Sequence, residues 1–216
     1  MSTRVAFLND LRTLNNDVIK MATILEESID KMILALTELS AEHATEVIAR
    51  DDEIDDLERK IEIECILIIA KQQPIATDLR KVSSIMKIIT DIERIADHCS
   101  DISEYVLELI KKDPMVQPSA LVPMVEAMKD MVVQAINSYV AEDVEESKKV
   151  REKDDIVDNY FVEIREDLKK RMTEDKKWIP QCVDYLMIIK YLERMGDHAT
   201  NIAGWMKYIV TGEMEE

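Results

Sequence analysis

The sequence predicts an all-α protein: six long helices forming two tandem, pseudo-symmetric, antiparallel three-helix bundles. Three observations predict it. The 216 residues include only 3 Gly and 5 Pro, and they are rich in the straight-chain residues that favour helices. Apolar residues recur at alternating steps of four and three. A fifteen-residue stretch also returns in recognisable form 100 positions later.

The first helix is predicted from about Arg4 to Leu39, because Leu14, Val18, Met21, Leu25, Ile29, Met32, Leu36 and Leu39 form one stripe of the bundle kind. Ser40 is a fitting N-cap for the second helix. Its inner face is marked by Ile54, Leu57, Ile61, Cys65 and Ile68, and Gln72-Gln73-Pro74 breaks it. The third runs from about Asp78 to Ile110. Lys112-Asp113-Pro114 through Pro118-Ser119 is the mid-chain linker, which divides the chain into residues 1–112 and 113–216. The fourth helix spans about Ser119 to Ala141. Asp143 followed by Glu146 is a capping-box-like start for the fifth, from about Val144 to Met172. The sixth runs from about Pro180 to Val210, with Gly212 as its stop.

The repeat sets Ile88–Ile102 (IITDIERIADHCSDI) against Ile188–Ile202 (IIKYLERMGDHATNI). The identities are Ile88/Ile188, Ile89/Ile189, Glu93/Glu193, Arg94/Arg194, Asp97/Asp197, His98/His198 and Ile102/Ile202. A period this long marks a duplicated domain rather than a solenoid unit.

Charge and composition exclude several function classes. A formal net charge of −17 repels nucleic acid and anionic membrane surfaces, and aromatics at 5% leave little for base stacking. Three cysteines with no C-x-x-C spacing suit a reducing compartment, and the start of the chain does not read as a signal peptide. The longest apolar run, Cys65–Ala70, falls far short of the ~20 residues that a membrane span needs. A cytoplasmic protein is expected, without direct membrane insertion. Phosphate-cradling Gly loops, G-x-S-x-G, H-E-x-x-H and a Cys–His pairing near a helix break are all lacking in the sequence, so no enzyme is expected.

The acid is not spread evenly. Pairs four residues apart stand at Asp52/Asp56 and Glu93/Asp97 in the first half, and at Asp154/Asp158 and Glu193/Asp197 in the second. Like charges at this spacing share a helix face and cost about 0.2–0.5 kcal/mol, which a bound cation would offset. Counting outward from the predicted turns sets Asp52 level with Asp97, Asp56 with Glu93, Asp154 with Asp197 and Asp158 with Glu193. Oxygen-only sets suit hard cations such as Mg²⁺, Ca²⁺, Mn²⁺ or oxidised iron. A ferritin-like di-iron oxidase would need Glu-x-x-His, but Ala96 and Gly196 occupy those positions. The bland alternative is solvated acid paired with Arg50, Arg94, Arg151 and Arg194. His98 and His198 read as interface or core residues.

Gln72-Gln73-Pro74-Ile75-Ala76-Thr77-Asp78-Leu79-Arg80 and Asp91-Ile92-Glu93-Arg94-Ile95-Ala96-Asp97-His98 resemble the hallmarks of the PhoU family. So do Arg4, Phe7, Leu8, Leu11 and Met21 near the start, and Glu193–His198 through Asn201-Ile202-Ala203. The resemblance covers essentially the whole chain. It implies two similar three-helix bundles and multinuclear metal clusters on E/D-x-x-x-D motifs. Carried over, these fall on Asp52, Asp56, Glu93, Asp97, Asp154, Asp158, Glu193 and Asp197. The metal would be iron, manganese, magnesium or zinc. It also implies a negative regulator of phosphate uptake and of the phosphate-starvation response. Such a protein couples the ATPase subunit of a phosphate ABC transporter to a phosphate-sensing histidine kinase, at the inner face of the membrane, commonly as a homodimer. Two departures stand out. Asp101 replaces the Asn found at Asn201, adding a carboxylate to the first cluster. The second half has Trp178-Ile179-Pro180 in place of the Gln-Gln-Pro run, so the clusters are expected to differ. The competing readings are a metal-dependent carboxylate enzyme and a metal-storage or scaffold protein with no phosphate role.

Overall fold

The structure, a computed structural model, describes residues 3–213. Its six rods are those that the periodicity predicts, with one division. α1 is Thr3–Glu38, α2 Ala41–Ala49, α3 Asp51–Gln72, α4 Thr77–Ile110, α5 Leu121–Ala141, α6 Val144–Glu174 and α7 Ile179–Thr211, the last preceded by a 3₁₀ turn at Lys176–Trp178.

The predicted second helix is therefore two helices, α2 and α3, divided at Arg50. There the backbone (φ −101°, ψ −2°) tightens into a turn, with Arg50 N–H donating to Val47 and Glu53 N–H donating to Arg50. Asp51, Asp52 and Glu53 supply the negative first turn that a new helix N-terminus favours. The Arg50 guanidinium reaches Glu27 of α1 at 2.8 Å and Glu53 at 3.7 Å, holding the joint against its neighbour. The corresponding α6 is continuous.

Other ends follow local chemistry. Ser40 accepts from the His43 N–H at 3.4 Å. The α3–α4 turn uses left-handed backbone at Gln73 (φ 46°) and Ala76 (φ 47°). Asp143 caps α6, accepting from the Glu145 and Glu146 N–H groups at 2.9 and 3.2 Å. The reciprocal half of the box is replaced by tertiary contact, because the Glu146 side chain accepts instead from Gln134 of α5 at 2.8 Å. Asp143→Ala is expected to cost about 1 kcal/mol, lowering Tm by roughly 2–4 °C for a chain of this size. Calorimetry checks it.

The α1 stripe from Leu14 through Leu36 is buried, as are Ile54, Leu57, Ile61, Cys65 and Ile68 of α3. α1–α4 form the first bundle and α5–α7 the second. The two are joined chiefly along α4 and α7, the helices that carry the repeated stretch, and one hydrophobic core runs through both. The acidic pairs lie on α3 and α4 in one bundle, and on α6 and α7 in the other. Among the described residues, no helix is long and apolar enough to cross a membrane.

Candidate metal centres

In the first bundle Ile54 is buried, which fixes the rotation of α3. Each residue turns a helix by about 100°. Asp55, one residue on, and Asp51, three residues back, therefore flank the buried stripe, whereas Asp52 and Asp56 fall on the far side. The structure accordingly brings Asp51 and Asp55, not Asp52 and Asp56, beside Glu93 and Asp97 of α4. Asp56 is 77% exposed and pairs with Arg59 at 3.1 Å. Asp52 is likewise exposed. Helix-turn counting gave the height of the acids correctly to within one residue, but it did not choose the face. The core stripe does choose it, and Asp51/Asp55 also form an i, i+4 pair.

Carboxylate oxygens of Asp55, Glu93 and Asp97 all lie within 4.8 Å of one another. Asp51 accepts from Ser100 Oγ at 2.9 Å at the rim. Arg94 touches the group from outside, 3.1 Å from Asp97 and 3.4 Å from Glu93. Glu93 Oε2 is buried and takes no hydrogen bond. Burial, and after it the charge of Asp97, pushes the Glu93 carboxyl up to about 7, with Arg94 opposing. Burial and neighbouring acids also raise Asp97 and Asp51, while Ser100 partly offsets the rise at Asp51. Asp101 lies one turn beyond Asp97, half exposed, accepting from His98 Nδ1 at 3.3 Å. Its charge still adds to the rise at Asp97 and Asp51.

The second bundle repeats the plan around buried Val157, which Asp154 precedes by three residues and Asp158 follows by one. The four acids expected from the sequence, Asp154 and Asp158 of α6 and Glu193 and Asp197 of α7, are near enough to act on one another electrostatically, with Asp158 exposed. Burial comes first and the neighbouring carboxylates second in raising Asp154, Asp158 and Asp197, with Glu193 acting on each. Asp154 Oδ1 lies 3.7 Å from where a Cβ on Gly196 would stand, an ordinary van der Waals contact, so an alanine such as the first half's Ala96 would also fit there. Lys190 pairs with Glu193. Among the described residues, only the first bundle brings three carboxylate oxygens within 4.8 Å.

These residues fit a hard cation. Packed carboxylates that repel one another, one of them with a buried oxygen that meets only Arg94 at 3.4 Å and accepts no hydrogen bond, would gain from a hard positive ion. Asp55, Glu93 and Asp97, with Asp51 beside them, would hold it in one bundle; Asp154, Asp158, Glu193 and Asp197 would hold it in the other.

His98 and His198 lie where α4 meets α7, with ring centroids 5.8 Å apart. His198 Nδ1 bonds Asp91 Oδ1 at 2.8 Å, and Asn201 donates to the same oxygen at 3.2 Å. Burial holds His98 below the ordinary imidazole range. They are interface residues, as the sequence suggests. The sequence shows Asp91 only as part of a family-like stretch and gives no sign of this contact, because its partners sit more than 100 positions away.

The chain is thus a duplicated helical-bundle protein with one group of carboxylates on a facing helix pair of each bundle. The PhoU domain model matches residues 18–106 and 121–206, so the chain belongs to the PhoU family. The phosphate-specific transport system accessory protein PhoU homolog of Clostridium acetobutylicum is 34% identical over 212 residues, covering 98% of this chain and 97% of that protein. Its counterpart in Aquifex aeolicus is 37% identical over 205 residues, covering 95% and 93%. The crystal structure of PhoU from Pseudomonas aeruginosa superposes with a TM-score of 0.93 at 29% identity, covering 96% of this chain and all (100%) of that one. The phosphate transport system regulatory protein PhoU of Streptococcus pneumoniae gives 0.90 at 28%, covering 97% and 99%. These names describe accessory and regulatory proteins rather than enzymes, as the sequence suggests for this chain.

Proposed function

We propose that this protein is an accessory regulator of a phosphate transport system, and that it restrains phosphate uptake and the starvation response when phosphate is plentiful. The full-length likeness to proteins named for that system carries the reading. In it, the helical surfaces contact the ATPase subunit of a phosphate ABC transporter and a sensor histidine kinase on the cytoplasmic face of the membrane. The acidic surface favours basic patches on those partners. Cations at the two clusters neutralise the facing pairs of helices and hold each bundle in its binding-competent shape. Self-association as a homodimer belongs to the same reading.

Deleting the gene tests it. Alkaline phosphatase output and phosphate uptake are expected to become high in phosphate-replete medium and to be restored by the wild-type gene. Unchanged output would instead favour a storage or scaffold role.

A further inference from the structure

The internal duplication supplies its own control, and in one place the two halves differ sharply. Buried Ile54, Ile61 and Cys65 of α3 correspond, 103 residues on, to buried Val157, Ile164 and Leu168 of α6. By the same register Glu58 and Glu62 correspond to Phe161 and Arg165. The 100-residue register of α4 and α7 sets Asp91 against Tyr191, and Trp205 against Tyr105.

In the second half that corner is filled. Tyr191 lies 5.1 Å from the His98 ring and 6.1 Å from Tyr105. Phe161 packs on the core, with Lys190 5.7 Å and Arg165 5.6 Å from its ring centre. In the first half the two aromatic plugs are acids, and a cavity of about 440 Å³ opens between α3, α4 and α7. Its walls include Met86, Ile89 and Trp205; Glu58, Glu62 and Asp91 also line it. Lys87 is the single cationic residue among them.

Asp91 is only 8% exposed. Its hydrogen bonds from His198 and Asn201 both end on Oδ1, and Oδ2 accepts none from any described residue. A carboxylate oxygen that faces the cavity without a donor, on a residue otherwise buried and beside two more acids and an indole, offers a place for a cationic hydrogen-bond donor. The volume is within the range of small-ligand sites. The aliphatic and aromatic walls disfavour a hydrated metal ion and suit an alkyl stem.

We propose that this cavity binds an alkyl guanidinium or ammonium group, with its charged end at Asp91 and Glu58 and its stem against Met86 and Trp205. The group is either a free amine or the side chain of an arginine or lysine on a partner protein.

The test uses the full chain, treated with EDTA and carrying Trp178→Phe so that Trp205 alone reports by fluorescence. Agmatine and N-acetyl-arginine methylamide are titrated separately. Saturable one-to-one binding is expected for at least one of them. Tighter binding of agmatine would indicate a free amine, and tighter binding of the blocked arginine a partner's side chain. Glu58→Phe with Asp91→Tyr copies the second half's own plug and should weaken binding at least tenfold. Asp91→Asn, which keeps the shape, should weaken it at least fivefold. Glu126→Gln with Glu174→Gln, two exposed acids elsewhere, removes the same charge as the plug and should leave binding intact. Absence of saturation up to about 10 mM, or equal binding by the plugged and charge-matched proteins, would overturn the proposal.

Discussion

Metal-free protein is expected to lose stability as pH is raised from 6.5 to 8.5. The Glu93 carboxyl is raised to about 7 in the fold, chiefly by burial. A carboxyl raised in the folded state contributes stability that is full below its unfolded value, near 4.5, and lost as pH climbs through 7. His98 works in the opposite sense while the unfolded imidazole loses its proton around 6.5, and so offsets part of the loss at the lower end of the window. The net slope across the window is set by Glu93 and the acids around it. The loss is on the order of 1 kcal/mol, or roughly 2–4 °C in Tm. Glu93→Gln should flatten the slope and leave the EDTA-treated protein more stable than wild type at pH 8.5. The exposed, lysine-paired acids Glu46, Glu108, Glu146 and Glu166 are shifted downward and titrate well below this window. Thermal melts of both proteins across the window decide it. A wild-type Tm that rises with pH would contradict the account.

Adding the cation should reverse the penalty. A ligand that binds only the folded state stabilises by about 2.7 kcal/mol at a hundred times its Kd, equivalent to roughly 5–10 °C here. The shift should grow with pH, since the ion competes with protons for the same oxygens. A variant with Glu93, Asp97, Glu193 and Asp197 changed to Ala should show no metal-induced shift. Before metal is added, it should melt at or above the wild type, because like charges have been removed from both facing helix pairs. A variant that melts far below metal-free wild type would mean that the acids hold the fold through their own contacts. Manganese, magnesium, iron and zinc titrated in turn would identify the preferred ion.

Most of the architecture is legible from spacing alone. The α1 stripe is long and uninterrupted, so period and burial coincide from Leu14 to Leu36. The joint at Arg50 is not legible, because arginine is a good helix former and the turn is held by Glu27, on another helix. The cluster acids show a subtler limit. Distance from a turn gives height along a helix pair, while the face is set by rotation, and only the buried stripe reports rotation. Asp154 and Asp158 lie three residues before and one after buried Val157, whereas Asp52 and Asp56 are each one residue beyond the acids that flank buried Ile54. The Asp91 cavity could not be read at all, since it exists only because α4 lies against α7.

The most direct measurement is the metal content and binding affinity of Asp55→Ala beside Asp56→Ala, both purified without added metal. These neighbours have the same charge and the same sequence context, and only the fold distinguishes them. Asp55→Ala should lose metal or bind it at least tenfold more weakly at the first cluster, and Asp56→Ala should match wild type. Equal metal content in all three proteins, or a loss confined to Asp56→Ala, would contradict the assignment of Asp55, Glu93 and Asp97 as a cation site.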